Sequence, residues 1–138
     1  MSFVQLSGVS KVYRSLKGAD YTAVRDFSLD IQPGEFFCLL GTSGCGKTTV
    51  LNMVAGFERA SSGSITISGR PITGPAADRG VVFQSPSLLP WLTAFENVML
   101  GEHQTNVVLL GEITDQPSVT LYACVINFDR LTPGAWTK

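Results

Sequence analysis

The stretch GTSGCGKTT, residues 41–49, carries the densest set of chemically suggestive residues in the chain. Glycines stand at 41, 44 and 46, and Lys47, Thr48 and Thr49 follow. Gly-x-x-x-x-Gly-Lys-Thr is the spacing of a loop that cradles phosphates. Gly41, Gly44 and Gly46 let the backbone curl, so that successive N–H groups, those of Ser43 and Cys45 included, turn inward on an anion. A helix beginning near Lys47 aims the positive end of its dipole at the same point. Lys47 is then expected to bridge the β- and γ-phosphates of a nucleotide. Thr48 offers its hydroxyl to Mg²⁺, and Thr49 reaches another phosphate oxygen. A nucleotide and Mg²⁺ are therefore the expected ligands, and the loop alone does not say which nucleotide.

Such a loop works only between a strand and a helix. Residues 35–41, EFFCLLG, run apolar without alternation, as a strand buried on both faces does. After Lys47, apolar residues fall at Val50, Leu51, Val54 and Phe57, which is one face of a helix. Upstream, residues 3–9 and 27–31 alternate apolar and polar, each fitting a strand with one buried face. Residues 64–68 alternate again around Ile65 and Ile67, and GRPITGPAADRG is rich in turn formers. Residues 81–83 read as a short buried strand. Thr93 and Glu96 have the spacing of a capping box that opens a helix to about Leu100.

The composition narrows the class. The chain has 138 residues, 44% hydrophobic and 15% charged, with a net charge of −1. The charged share is well below the roughly 25% of ordinary soluble domains, which suggests surface covered by partners. Nothing in the balance points to nucleic acid. No apolar run approaches the roughly 20 residues of a membrane span, and the N-terminus carries no apolar signal core. Cys38, Cys45 and Cys124 are odd in number and read as free thiols of a cytoplasmic protein. With His103 as the single histidine, zinc is a poor reading.

The flanks choose among phosphate-loop proteins. KVYRSLKGADYTAVRDFSLDIQPGEFFCLLGTSGCGKTTVLNMVAGFERASSGSITISG resembles the ATP-binding subunits of ABC transporters, and GPAADRGVVFQSPSLLPWLTAFENVMLG is similar to the ATPases of taurine, aliphatic-sulfonate and nitrate importers. The resemblance implies an α/β P-loop NTPase core of the ABC ATPase type. Its sheet is mainly parallel with an antiparallel N-terminal sheet, and it is incomplete. It implies that Tyr13 stacks on adenine, with Tyr21 as the alternative. Gln84 would be the glutamine that reaches Mg²⁺ or the attacking water. It further implies a membrane permease subunit and a second ATPase subunit as partners, at the inner face of the cell membrane. Arg79 reads as a solvated charge, and Trp91 as either a partner contact or a satellite core residue.

The resemblance covers residues 1–101, the N-terminal part of a nucleotide-binding domain. Residues 102–138 are unassigned, and a shifted reading frame or a genuine divergent tail would each explain them. An LSGGQ-like signature, an Asp-Glu strand end and a switch histidine are not found there. Asp129 ends an apolar run but is followed by Arg130, where the family has its catalytic glutamate. The chain is accordingly expected not to hydrolyse ATP alone. A rival is a fragment that binds nucleotide weakly or not at all. A P-loop kinase would need lid arginines, for which the tail offers only Arg130 and Lys138.

Overall fold

The computed structural model describes residues 2–35, 37–82 and 88–99, together with three short strands at 107–110, 120–122 and 125–126. Gln84, Phe83, His103, Cys124, Asp129 and Arg130 lie outside the described residues, so the expectations attached to them rest on sequence.

Four strands form an antiparallel sheet in the order β2-β1-β4-β5. These are β1 (Val4–Tyr13), β2 (Tyr21–Ile31), β4 (Ser62–Ile67) and β5 (Arg70–Pro71). The alternation seen in the sequence sets the register. Val4 lies opposite Ile31 and Ile67, and Leu6 opposite Leu29 and Ile65, so one face of three strands is apolar. The β4–β5 turn is made by Ser68 and Gly69, both at positive φ. It leaves Arg70–Pro71 as an edge strand inside a segment read as loop; an edge is where proline's missing N–H does least harm.

Strand β3 (Leu39–Gly41) leads into the loop and then into α1 (Lys47–Ala55). Helix α1 buries Val50, Leu51, Met53, Val54 and Ala55 in one cluster with Val4, Leu6, Val9, Val24, Ile31, Ile65 and Ile67 of the sheet. Each of the Val, Leu, Ile and Met side chains contributes about 1.5–3 kcal/mol by leaving water. The helix ends earlier than its apolar spacing predicts. Gly56 caps it at φ 83, with Phe57 N–H and Glu58 N–H both donating to the Asn52 carbonyl, at 2.9 and 3.2 Å. A β-carbon on Gly56 would also meet the Gly74 carbonyl oxygen, so glycine is required twice over. Phe57 therefore falls past the helix and is half exposed.

The parallel pairing among the described residues joins β6 (Arg79–Val82) to β7 (Val107–Leu110). β9 (Val125–Ile126) adds antiparallel to β7, and β8 (Thr120–Tyr122) antiparallel to β3. One expectation is corrected here. The run 35–41 is not covered on both faces: Leu40 is 67% exposed, because β8 pairs beside β3 in the sheet rather than above it. Helix α2 (Ala94–Met99) opens on the capping box as read. Thr93 N–H and Oγ1 reach Glu96 Oε2 at 2.7 and 2.8 Å, and Glu96 N–H returns to Thr93 Oγ1 at 3.2 Å. No helix of the described residues is long and apolar enough to cross a membrane.

Candidate functional site

The loop of residues 41–46 leaves β3 and enters α1 with Gly44 at φ 80 and Gly46 at φ 96. Gly46 is the helix N-cap and brings no side-chain hydrogen bond to it. A capping serine or aspartate would occupy the first N–H groups of α1; glycine leaves that task to something else. The position has a second requirement. A β-carbon on Gly46 would come within 2.4 Å of the Ala23 carbonyl oxygen, so the loop lies directly on strand β2.

Lys47 is buried, and its ammonium curls back over the loop. Nζ donates to the carbonyls of Gly41 at 2.9 Å and Thr42 at 2.5 Å, and lies 3.3 Å from Cys45 Sγ. Beside it opens a cavity of about 230 Å³ lined by Ser43, Gly44, Gly46, Lys47, Thr48, Thr49, Ala23 and Tyr21. The structure thus gathers the loop residues named from sequence, with Gly41 and Cys45 reaching the site through Lys47. The donor set is an ammonium, two threonine hydroxyls and a helix N-terminus. That set suits a polyphosphate, and a Mg²⁺ shared between a threonine hydroxyl and phosphate oxygens. Among the described residues no group of three or more His, Cys, Asp or Glu offers an all-protein metal site.

Tyr13 and Tyr21 face each other across β1 and β2, with ring centroids 6.4 Å apart and planes 15° from parallel. They are not equivalent. Tyr21 lines the cavity, and its hydroxyl donates to the Gly44 carbonyl at 3.5 Å. Tyr13 does not line it; its hydroxyl donates to Glu58 Oε2 at 2.6 Å. Lys11 Nζ lies 3.2 Å from the same carboxylate oxygen and 5.1 Å from the Tyr13 ring centroid, and it donates to the Arg59 carbonyl at 2.8 Å. The Tyr13 phenol is pushed up by burial and by Glu58, while a hydrogen bond with Thr49 acts the other way. The Glu58 carboxyl is held below its ordinary range, chiefly by the Tyr13 hydroxyl and then by Lys11.

Sequence reading missed Lys11 and Glu58. Lys11 stands two residues before Tyr13 and so shares its face of β1. Glu58 carries no such signal, since a turn at Gly56 brings it back to the strand. Arg79 is a correction. Its side chain is 5% exposed rather than solvated, donating to the Gly74 carbonyl at 2.6 Å and lying 3.3 Å from Asp78. Trp91 is 75% exposed beside exposed Leu88 and Phe95, so it is not a satellite of the core.

Comparison with known proteins gives a consistent set. The ABC transporter family model matches residues 24–130. A bicarbonate transport ATP-binding protein of Synechocystis sp. is 50% identical over 100 residues, 72% of this chain and 35% of that protein. A taurine import ATP-binding protein of Burkholderia pseudomallei is 50% identical over 93 residues, 67% of this chain and 35% of that one. A nitrate import ATP-binding protein of Synechococcus elongatus is 46% identical over 99 residues, 72% of this chain and 36% of that one. The chain thus spans about a third of the length of these relatives. Among solved structures, a dimeric post-hydrolysis ATP-binding cassette bound to ADP and Pi superposes with a TM-score of 0.57 at 30% identity, over 71% of this chain and 46% of that one.

Proposed function

Since the chain belongs to the ABC transporter family of ATP-binding proteins, we propose that it is part of the ATP-binding subunit of an importer for a small anion. The observation that carries this is the glycine-capped loop, with Lys47, Thr48 and Thr49 converging on one cavity beside the N-terminus of α1. The β- and γ-phosphates lie against Lys47 and the loop N–H groups. Thr48 would hold Mg²⁺, which would supply neutralisation of phosphate charge, and Gln84, assigned from sequence alone, would be the residue that reaches the metal or the attacking water. The relatives are named for bicarbonate, nitrate and taurine, each a small molecule with an anionic group, and this supports the substrate class. The intact importer ATPase works with a second copy and a membrane permease at the inner membrane face. The exposed Leu88, Trp91 and Phe95 suit a permease-facing segment.

Calorimetric titration with Mg²⁺-ATP tests the site. Lys47→Ala removes a charge-assisted contact worth about 1.5–3 kcal/mol, so affinity should fall about ten-fold or more. Equal affinities of the two proteins would show that the loop is not the nucleotide site.

A further inference from the structure

A second cavity opens at the far end of α1, where Met53 and the turn after Gly56 meet strands β4 and β5. Its volume is about 350 Å³, against about 230 Å³ for the phosphate cavity, and the two share no lining residue. A space of that size lies within the range of small-molecule sites. Its wall is apolar, made by Met53, Ile65, Pro71 and Ile72. Met53 and Ile65 are buried members of the core cluster, and Ile72 is held by its N–H, which donates to the Ile65 carbonyl at 3.0 Å. The space is therefore framed by fixed parts.

Two charged residues line it, Glu58 and Arg59, and they are not equivalent. The Glu58 carboxylate already receives the Tyr13 hydroxyl at 2.6 Å and pairs with Lys11 at 3.2 Å. The Arg59 side chain is exposed and makes no ion pair among the described residues. Its backbone is anchored. The Arg59 carbonyl accepts from Lys11 Nζ at 2.8 Å, and the N–H of Glu58 before it donates to the Asn52 carbonyl at 3.2 Å. Among the described residues the cavity thus presents one uncompensated positive charge on a fixed stem beside an apolar wall. A guanidinium takes a carboxylate through two parallel hydrogen bonds, and the wall favours hydrocarbon over water. A polyphosphate suits the place badly, because it would also meet the Glu58 carboxylate.

We propose that this cavity binds a small organic carboxylate with a short hydrocarbon body, the carboxylate paired with Arg59 and the body laid against Met53, Ile65, Pro71 and Ile72. The proposal does not depend on the phosphate-loop reading.

The probe is hexanoate, titrated into the isotope-labelled whole chain and followed by amide shifts in the NMR spectrum. The shifts should saturate and centre on Arg59, Ser64, Ile72 and Thr73. Affinity should rise from acetate to butyrate to hexanoate, by up to about four-fold per added methylene, and hexylammonium should not bind there. Arg59→Gln should weaken hexanoate about ten-fold, and Arg59→Lys, which keeps the charge and loses the fork, should weaken it less. Lys47→Ala should leave hexanoate within about two-fold, as a distant site does. Both Arg59 variants should keep the wild-type far-ultraviolet spectrum and Mg²⁺-ATP affinity. Shifts that do not saturate would overturn the proposal, as would equal binding of hexylammonium or of acetate, or full affinity in Arg59→Gln. Loss of hexanoate in Lys47→Ala with none in Arg59→Gln would move the anion to the phosphate loop and overturn it too.

Discussion

At the scale of single residues, the site depends on groups whose replacement has a definite cost. Gly46 combines φ 96 with a carbonyl where a β-carbon would go. Gly46→Ala must therefore strain its backbone and push the loop off β2. We expect a loss of about 1–3 kcal/mol in urea unfolding, together with weakened ATP binding. Retained stability would show that the loop adjusts freely. Thr48 tests the metal. Thr48→Ala should bind ATP equally with and without Mg²⁺, whereas wild type should prefer the Mg²⁺ complex. A Mg²⁺ preference unchanged in the variant would place the metal on other groups.

At the scale of elements, α2 is only Ala94–Met99 and relies on its cap. Thr93→Ala should cost about 1 kcal/mol, read as earlier thermal loss of helix signal. The carboxyl of Glu96 lies below its ordinary value of 4.5 because Thr93 N–H and Oγ1 hydrogen-bond to it, and Glu58 lies below through Tyr13 and Lys11. A depressed carboxyl stabilises fully above its unfolded value and loses that contribution as pH falls through the folded one. Acid titration should therefore weaken the fold below about pH 4.5, and Glu96→Gln with Glu58→Gln should flatten that limb. An unaltered acid limb would assign it to other carboxylates. The sequence made these elements legible where local chemistry decides them: the alternation of Val4, Leu6 and Val9, the Thr93 box, the strand–loop–helix around Lys47. It could not show that Leu40 faces solvent or that Glu58 returns to Tyr13. Each of those depends on what packs alongside, which is a tertiary fact.

At the scale of the whole molecule, one apolar cluster joins α1 to the antiparallel sheet, and Leu6 and Met53 are its largest fully buried side chains among the described residues. Leu6→Ala should cost about 2–5 kcal/mol, a large part of the roughly 5–15 kcal/mol that holds a domain together. A denaturation midpoint close to wild type would mean that the cluster is not the core. The short ladders of β7, β8 and β9 lie at the other extreme. Ladders this short, pairing with β3 and β6, should exchange amide hydrogens faster than α1 does, and hydrogen-exchange mass spectrometry would read the contrast directly.

Helix α1 also acts as a spacer. Its N-terminus holds Lys47, and just past its C-terminal cap stands Glu58. Nine residues at about 1.5 Å each set a separation of about 13 Å between the ends. Length and phase are locked together in such a part. One inserted alanine would lengthen it by about 1.5 Å and swing everything beyond by about 100°, turning the Glu58 carboxylate off the Tyr13 hydroxyl while the loop remained whole. The reach from the phosphate loop to the Lys11–Glu58–Tyr13 cluster would thus be written in a count of residues.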